Sequence, residues 1–239
     1  MSMNDNPLVV LHVPKTAGTS LRKIIKNNYI PEELLFVYDN HPNFFSTREL
    51  KNLSLEDINK FKVIMGHIQF DIKIFPCNKF NFLTFVRDPV NRVISYYHHV
   101  MTHNKVWSNK KISLLKYIET SNDLQLSNHQ TRVLAGLGGN PVTDKHLKAA
   151  ISNIDNYFCF VGISERFVES ISFMAGMFNW ENSSILHENA SIGKPDAAFF
   201  SDMEIERIKE LNKLDIELYN YIESNFVYFV NRTIKRMRM

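Results

Sequence analysis

The chain has 239 residues, with 28 Lys and Arg against 25 Asp and Glu and a formal net charge of +3, a balance too mild to argue for nucleic acid as a partner on its own. Its two cysteines give no disulfide framework, which fits a reducing compartment, and no His, Cys, Asp and Glu cluster has zinc-site spacing. The length fits one α/β domain over 1–239 with flexible termini at 1–7 and 231–239, and with no secretory signal or spanning apolar run a cytoplasmic protein is expected.

Leu8-Val9-Val10-Leu11 is an apolar run bounded by Pro14, as expected of a parallel strand covered on both faces. His12-Val13-Pro14-Lys15-Thr16-Ala17-Gly18-Thr19-Ser20 follows, and then Leu21, Ile24 and Ile25 recur at helical spacing. Amides at a helix start, with the helix dipole behind them, form an anion site. Gly18 allows close approach, the hydroxyls of Thr16, Thr19 and Ser20 add donors, and Lys15 adds a charge. A nucleoside-triphosphate loop reads G-x-x-x-x-G-K-[ST]. Here the lysine precedes the glycine, which disfavours a Walker-type ATPase. Taken by itself, the loop also fits an ordinary strand-loop-helix turn with a surface lysine.

Val63-Ile64-Met65 is a short strand candidate ending in Gly66-His67. A histidine that is neutral near pH 7 can accept a proton from a hydroxyl, although a histidine considered singly is more often a core residue. His12 is expected to be buried and satisfied. Phe82–Val86 is the next strand candidate and runs into Arg87-Asp88-Pro89. Asp88 suits a helix N-cap and Pro89 the first helical position. Arg87 sits at a strand's carboxyl end, where ligands of open α/β sheets bind, and Ser95 can complete a phosphate cradle. Arg92 is expected to pair with Asp88 or brace the loop. His98, His99 and His103 form a solvated face or line an acceptor cleft.

Asn128-His129-Gln130-Thr131-Arg132 leads to a helix end at Gly136, with Gln130 and Arg132 either facing an acceptor or structural. Phe158–Ile163 reads as a buried strand, followed by Ser164-Glu165-Arg166-Phe167 in a packing role. His187–Pro195 is a polar loop containing Lys194. Ser201–Glu204 is a capping-box pattern opening one long helix through Phe226. The chain ends in a basic segment from Asn231 that is expected to fray. Strand candidates alternate with helical stretches, which favours an α/β chain: a P-loop-type three-layer fold with a central parallel sheet flanked by helices.

The order P-K-T-A-G-T-S-L resembles the 5′-phosphosulfate loop of sulfotransferases that use 3′-phosphoadenosine-5′-phosphosulfate (PAPS). R-D-P-x-x-R-x-x-S-x-Y resembles their 3′-phosphate element. The G-H pair, N-x-Q-T-R-x-L-A-G and G-x-x-E-R-F are most similar to the family-2 branch, which includes heparan and uronyl 2-O-sulfotransferases and bacterial enzymes. The resemblance spans Leu8 to about Phe226. It implies PAPS as donor and 3′-phosphoadenosine-5′-phosphate (PAP) as product, with no metal. Lys15, Thr16, Ala17, Gly18, Thr19 and Ser20 would hold the 5′ side, and Arg87 and Ser95 the 3′-phosphate. Lys194 would close on the nucleotide, a solvated lysine being the other reading because the R-K-G signature is absent. His67 would be the catalytic base, and Lys15 would stabilise charge on the leaving oxygen. The acceptor is a hydroxyl, a saccharide by analogy. Two other functions stay open: an ATP-dependent kinase-like phosphoryl transferase, and a nucleotide-binding module without chemistry.

Overall fold

A computed structural model describes residues 6–39, 41–109, 112–139, 141–181 and 197–237. The strands are β1 (Leu8–Leu11), β2 (Leu34–Val37), β3 (Val63–Gly66), β4 (Asn81–Val86) and β5 (Phe158–Ile163). They form one sheet in the order β2-β3-β1-β4-β5, every pair parallel. Between and after them run α1 (Gly18–Asn28), α2 (Thr47–Asn52), α3 (Leu55–Ile58), α4 (Pro89–His103), α5 (Lys105–Ser108), α6 (Leu114–Thr120), α7 (His129–Ala135), α8 (Asp144–Tyr157), α9 (Phe167–Phe178), α10 (Asp202–Leu211), α11 (Lys213–Ser224) and α12 (Phe226–Met237).

Every residue of β1, β3, β4 and β5 is buried. Successive side chains of a strand point to opposite faces, so both faces of the sheet are covered. Only the edge strand β2 alternates between buried and half-buried positions. This is the expected parallel α/β sheet flanked by helices. The chain builds outward from β1 to β2 and inserts β3 between them. It then crosses β1 to lay down β4 on the other side. The carboxyl ends of β3, β1 and β4 are therefore neighbours at the point where the strand order reverses, the usual ligand crevice of such sheets.

The C-terminal third differs from the sequence expectation in two ways. The capping box at Ser201 and Glu204 forms, with Ser201 N–H donating to Glu204 Oε2 at 3.1 Å. The single long helix, however, is divided at Asn212 and Asn225. Asn212 ends α10 because its side-chain amide donates to the carbonyls of Leu126 and Ile208, both at 2.9 Å. The second difference is the basic segment from Asn231, which continues α12 rather than fraying. Arg232 donates to the carbonyls of Asp155 (2.8 Å), Ile154 (3.3 Å) and Phe158 (3.0 Å) at the end of α8. Buried Thr233 also bonds the carbonyl of Cys159 in β5. Among the described residues, no helix is long and apolar enough to cross a membrane.

Candidate active site

The loop after β1 is shaped by backbone sign. Lys15 has φ 72° and Ala17 φ 63°, while Thr16 between them and Gly18 after them stay at negative φ. Alternation of this kind turns successive amides toward one concavity, an anion nest. Non-glycine residues at positive φ store strain, so the surrounding structure must hold them there. Part of that hold is Thr16, buried, whose hydroxyl donates to the carbonyl of Val13 at 2.8 Å. Its side chain is spent on the loop itself. Ala17 is the N-cap of α1 and has no side-chain oxygen to close the helix start, so the first amides are left for a ligand. Thr19 is exposed, and Lys15 and Ser20 are half-buried. Gly18 has a second purpose that the sequence did not show. A Cβ there would fall inside the imidazole of His12.

Because β4 pairs directly with β1, Arg87 emerges beside this loop. Its Nη1 donates to the carbonyl of Lys15 at 3.3 Å, and its Nε lies 3.6 Å from Glu165 Oε1. Its backbone is gripped twice by Gln130: Arg87 N–H donates to Oε1 at 2.9 Å, and Gln130 Nε2 donates to Arg87 O at 2.8 Å. Burial pulls the guanidinium's pKa down, while Glu165 and Asp88 oppose that. Asp88 caps α4 through the amide of Asn91 at 2.8 Å, with Pro89 in the first turn, as expected. That cap uses the Asp88 carboxylate, so Arg92 does not pair with it. Arg92 is fully buried instead, donates to the carbonyl of Gln125 and lies in the field of Asp215 and Asp123. One turn on, Ser95 is 3% exposed and its hydroxyl has no hydrogen-bond partner among the described residues. A buried hydroxyl without a partner is costly unless something binds it. The nest and the Arg87 guanidinium thus stand on neighbouring strand ends, and the helix that follows Arg87 carries the Ser95 hydroxyl, a donor set that fits a nucleotide phosphorylated at two positions.

His67 follows β3, its amide bonded to Val37 O at 3.0 Å. Its ring lies 4.8 Å from that of His12 and 4.7 Å from that of Tyr38, centroid to centroid. Burial first, and then the charge of Arg22, lower the His67 pKa to about 4, with Asp39 opposing. The residue keeps an exposed edge, and solvent there tempers the shift; its direction holds the imidazole neutral. His12 is satisfied as expected, by the Tyr38 hydroxyl at 3.0 Å from Nδ1. Of the α4 histidines, His99 faces the site closely enough for Lys15 to lower its pKa, after burial.

The segment after Asn128 is scaffolding. Asp215 on α11 accepts the first amides of α7, from Gln130 at 3.0 Å and Thr131 at 2.7 Å. In return, Asn128 Oδ1 accepts the amides of Leu214 (3.0 Å) and Asp215 (3.1 Å) at the start of α11. Arg132 is turned inward to the carbonyls of Gly139 and Ser127. Gly136 ends α7 at φ 72°, as expected. Glu165, read from sequence as packing, has an electrostatic part: it pairs with Arg87, accepts the Asp88 amide at 3.2 Å and accepts the Tyr219 hydroxyl at 3.2 Å. Tyr38, Arg22 and Glu165 are the site residues that sequence reasoning missed; no local spacing marks them. Lys194 lies outside the described residues.

A model of the Sulfotransferase family matches residues 2–138, more than half of the chain. No curated protein matches. Among solved structures, the chain is similar to one titled as the crystal structure of mouse sulfotransferase SULT7A1 complexed with PAP. The identity is 14% and the TM-score 0.38, over 86% of this chain and 63% of the mouse chain. The chain therefore spans less than two thirds of the length of that protein.

Proposed function

The chain belongs to the sulfotransferase family, and from that premise we propose that it moves a sulfuryl group from PAPS to a hydroxyl acceptor, with His67 as base. What supports the reading is the hydrogen bond from Arg87 to the β1 loop, together with a buried Ser95 hydroxyl that has no partner among the described residues on the helix that follows Arg87. PAPS supplies a sulfuryl group on a phosphosulfate anhydride, and its ribose 3′-phosphate sets it apart from ATP. Lys15, Thr16, Ala17, Gly18, Thr19 and Ser20 hold the 5′ end, chiefly through amides. Arg87 and Ser95 hold the 3′-phosphate. His67, neutral at pH 7, takes the acceptor's proton, and Lys15 offsets charge on the departing phosphate oxygen. In-line transfer asks mainly for positioning and charge stabilisation, as in phosphoryl transfer. The acceptor is read as a saccharide by analogy with the family-2 branch.

The test is twofold. Thermal shift compares PAP with ATP plus magnesium, and sulfur-labelled PAPS is incubated with a panel of sugars, phenols and lipid alcohols. PAP stabilisation with label transfer supports the reading. Preference for ATP would support a kinase, and PAP binding without transfer to any acceptor would support an inactive nucleotide-binding module.

A further inference from the structure

His12 has a role that being buried and satisfied does not explain. Three observations converge on it. Its Nδ1 is 3.0 Å from the Tyr38 hydroxyl. The guanidinium carbon of Arg22 lies 5.3 Å from the centroid of the same tyrosine's ring. Its Nε2 rests over Gly18, the first residue of α1, where only a glycine leaves room for it.

The Tyr38 hydroxyl engages one ring nitrogen, Nδ1, and the other, Nε2, is turned to Gly18 at the head of α1. With the phenol as donor to Nδ1, the proton of a neutral His12 lies on Nε2.

We propose that His12 is a further catalytic residue, held as the Nε2–H tautomer by Tyr38, and that it donates to the sulfuryl end of the nucleotide. This rests on the nucleotide reading above. The sulfuryl end is favoured over the 5′-phosphate because His12 stands between the nest and His67, with the two imidazoles 4.8 Å apart. The group that His67 serves is the one being transferred. Burial and the nearby charges of His67, Arg22 and Lys15 hold His12 well below the usual histidine range, so it donates as a neutral imidazole and does not compete with His67 for the acceptor's proton.

The first test is spectroscopic and needs no activity. Histidine nitrogen NMR of the wild-type chain at pH 7 should show His12 as neutral Nε2–H, and Tyr38→Phe should weaken that preference. An Nδ1–H or doubly protonated His12 overturns the proposal. The second test is titration calorimetry with PAPS and with PAP, which lacks the sulfuryl group. His12→Leu should weaken PAPS binding by about tenfold or more and PAP binding by less than about twofold. His12→Gln, which restores a side-chain N–H, should recover part of the loss. Equal weakening of both ligands overturns the His12 proposal and leaves the nucleotide reading standing. Wild-type chain that binds neither ligand overturns the nucleotide reading itself. If His12→Leu does not fold, the wild-type tautomer decides.

Discussion

Replacing Ser95 with alanine should move affinity and stability in opposite directions. The Ser95 hydroxyl is buried, 3% exposed, and without a hydrogen-bond partner among the described residues. A buried hydroxyl in that state costs about 1–3 kcal/mol. Ser95 lies within α4, where alanine is the better helix former by a few tenths of a kcal/mol. Ser95→Ala should therefore leave the free chain as stable as before or up to about 1 kcal/mol more stable, a rise of roughly 2–4 °C in melting temperature for a chain of this size. A hydrogen bond to a charged phosphate contributes about 1.5–3 kcal/mol. Losing it should weaken PAP binding by roughly 10- to 100-fold, at 1.4 kcal/mol per factor of ten. Adenosine 5′-monophosphate, which lacks the 3′-phosphate, should bind wild type and variant alike. Thermal denaturation without ligand and calorimetry with both nucleotides measure all three quantities. Unchanged PAP affinity would refute the placement of Ser95, as would a loss of stability above about 1 kcal/mol.

His67→Ala should lower turnover at least ~100-fold while PAP binding stays within about twofold; equal turnover removes His67 from the chemistry. The base must be neutral, and burial lowers its pKa, so the acid limb of the rate should lie below the ordinary histidine value of about 6.5. An acid limb centred near 6.5 in a pH–rate profile would contradict this. Stability should fall on acidification below pH 6.5, because His12, His67 and His129 all have lowered pKa values in the folded chain. Below 6.5 the unfolded chain binds protons that the folded chain refuses, so stability rises with pH across that window; a melting temperature flat from pH 7 to 5 would count against it. Asp215→Ala removes the buried carboxylate in whose field the buried Arg92 lies and leaves the first amides of α7 without their acceptor. It should cost about 3–5 kcal/mol in urea denaturation, and a loss below about 1 kcal/mol would show that the carboxylate is not needed.

β1, β3, β4 and β5 were legible because each is a short apolar run buried on both faces, a pattern that needs no knowledge of neighbours, whereas the half-buried edge strand β2 was not read. β5 occupies Phe158–Ile163 as read. Lys15 and Arg87 were legible for a related reason: each follows a strand end, and parallel sheets gather such ends in one crevice. What escaped was pairing across long separations. His12 meets Tyr38 because β2 and β3 lie beside β1 in a fixed order, which no local spacing encodes. Arg87 meets Glu165 because β4 pairs with β5. Arg92 was misplaced by local reasoning: helical spacing offered it Asp88, but the N-cap had already taken that carboxylate. The C-terminal helix was read as continuous because its apolar periodicity is unbroken, while Asn212 ends it through a partner 86 residues away in the chain, the carbonyl of Leu126.

The exchange of caps between α7 and α11 separates recognition from support. The family match ends at residue 138, yet the arginine that reaches the nest is clasped by Gln130, and the helix bearing Gln130 is held by a carboxylate 85 positions downstream. An excised N-terminal piece would keep the matched segment and lose its brace. The limit of recognisable ancestry in this chain is not a place where it can be cut, and a shortened version chosen by motif alone would carry the right residues on a slack frame.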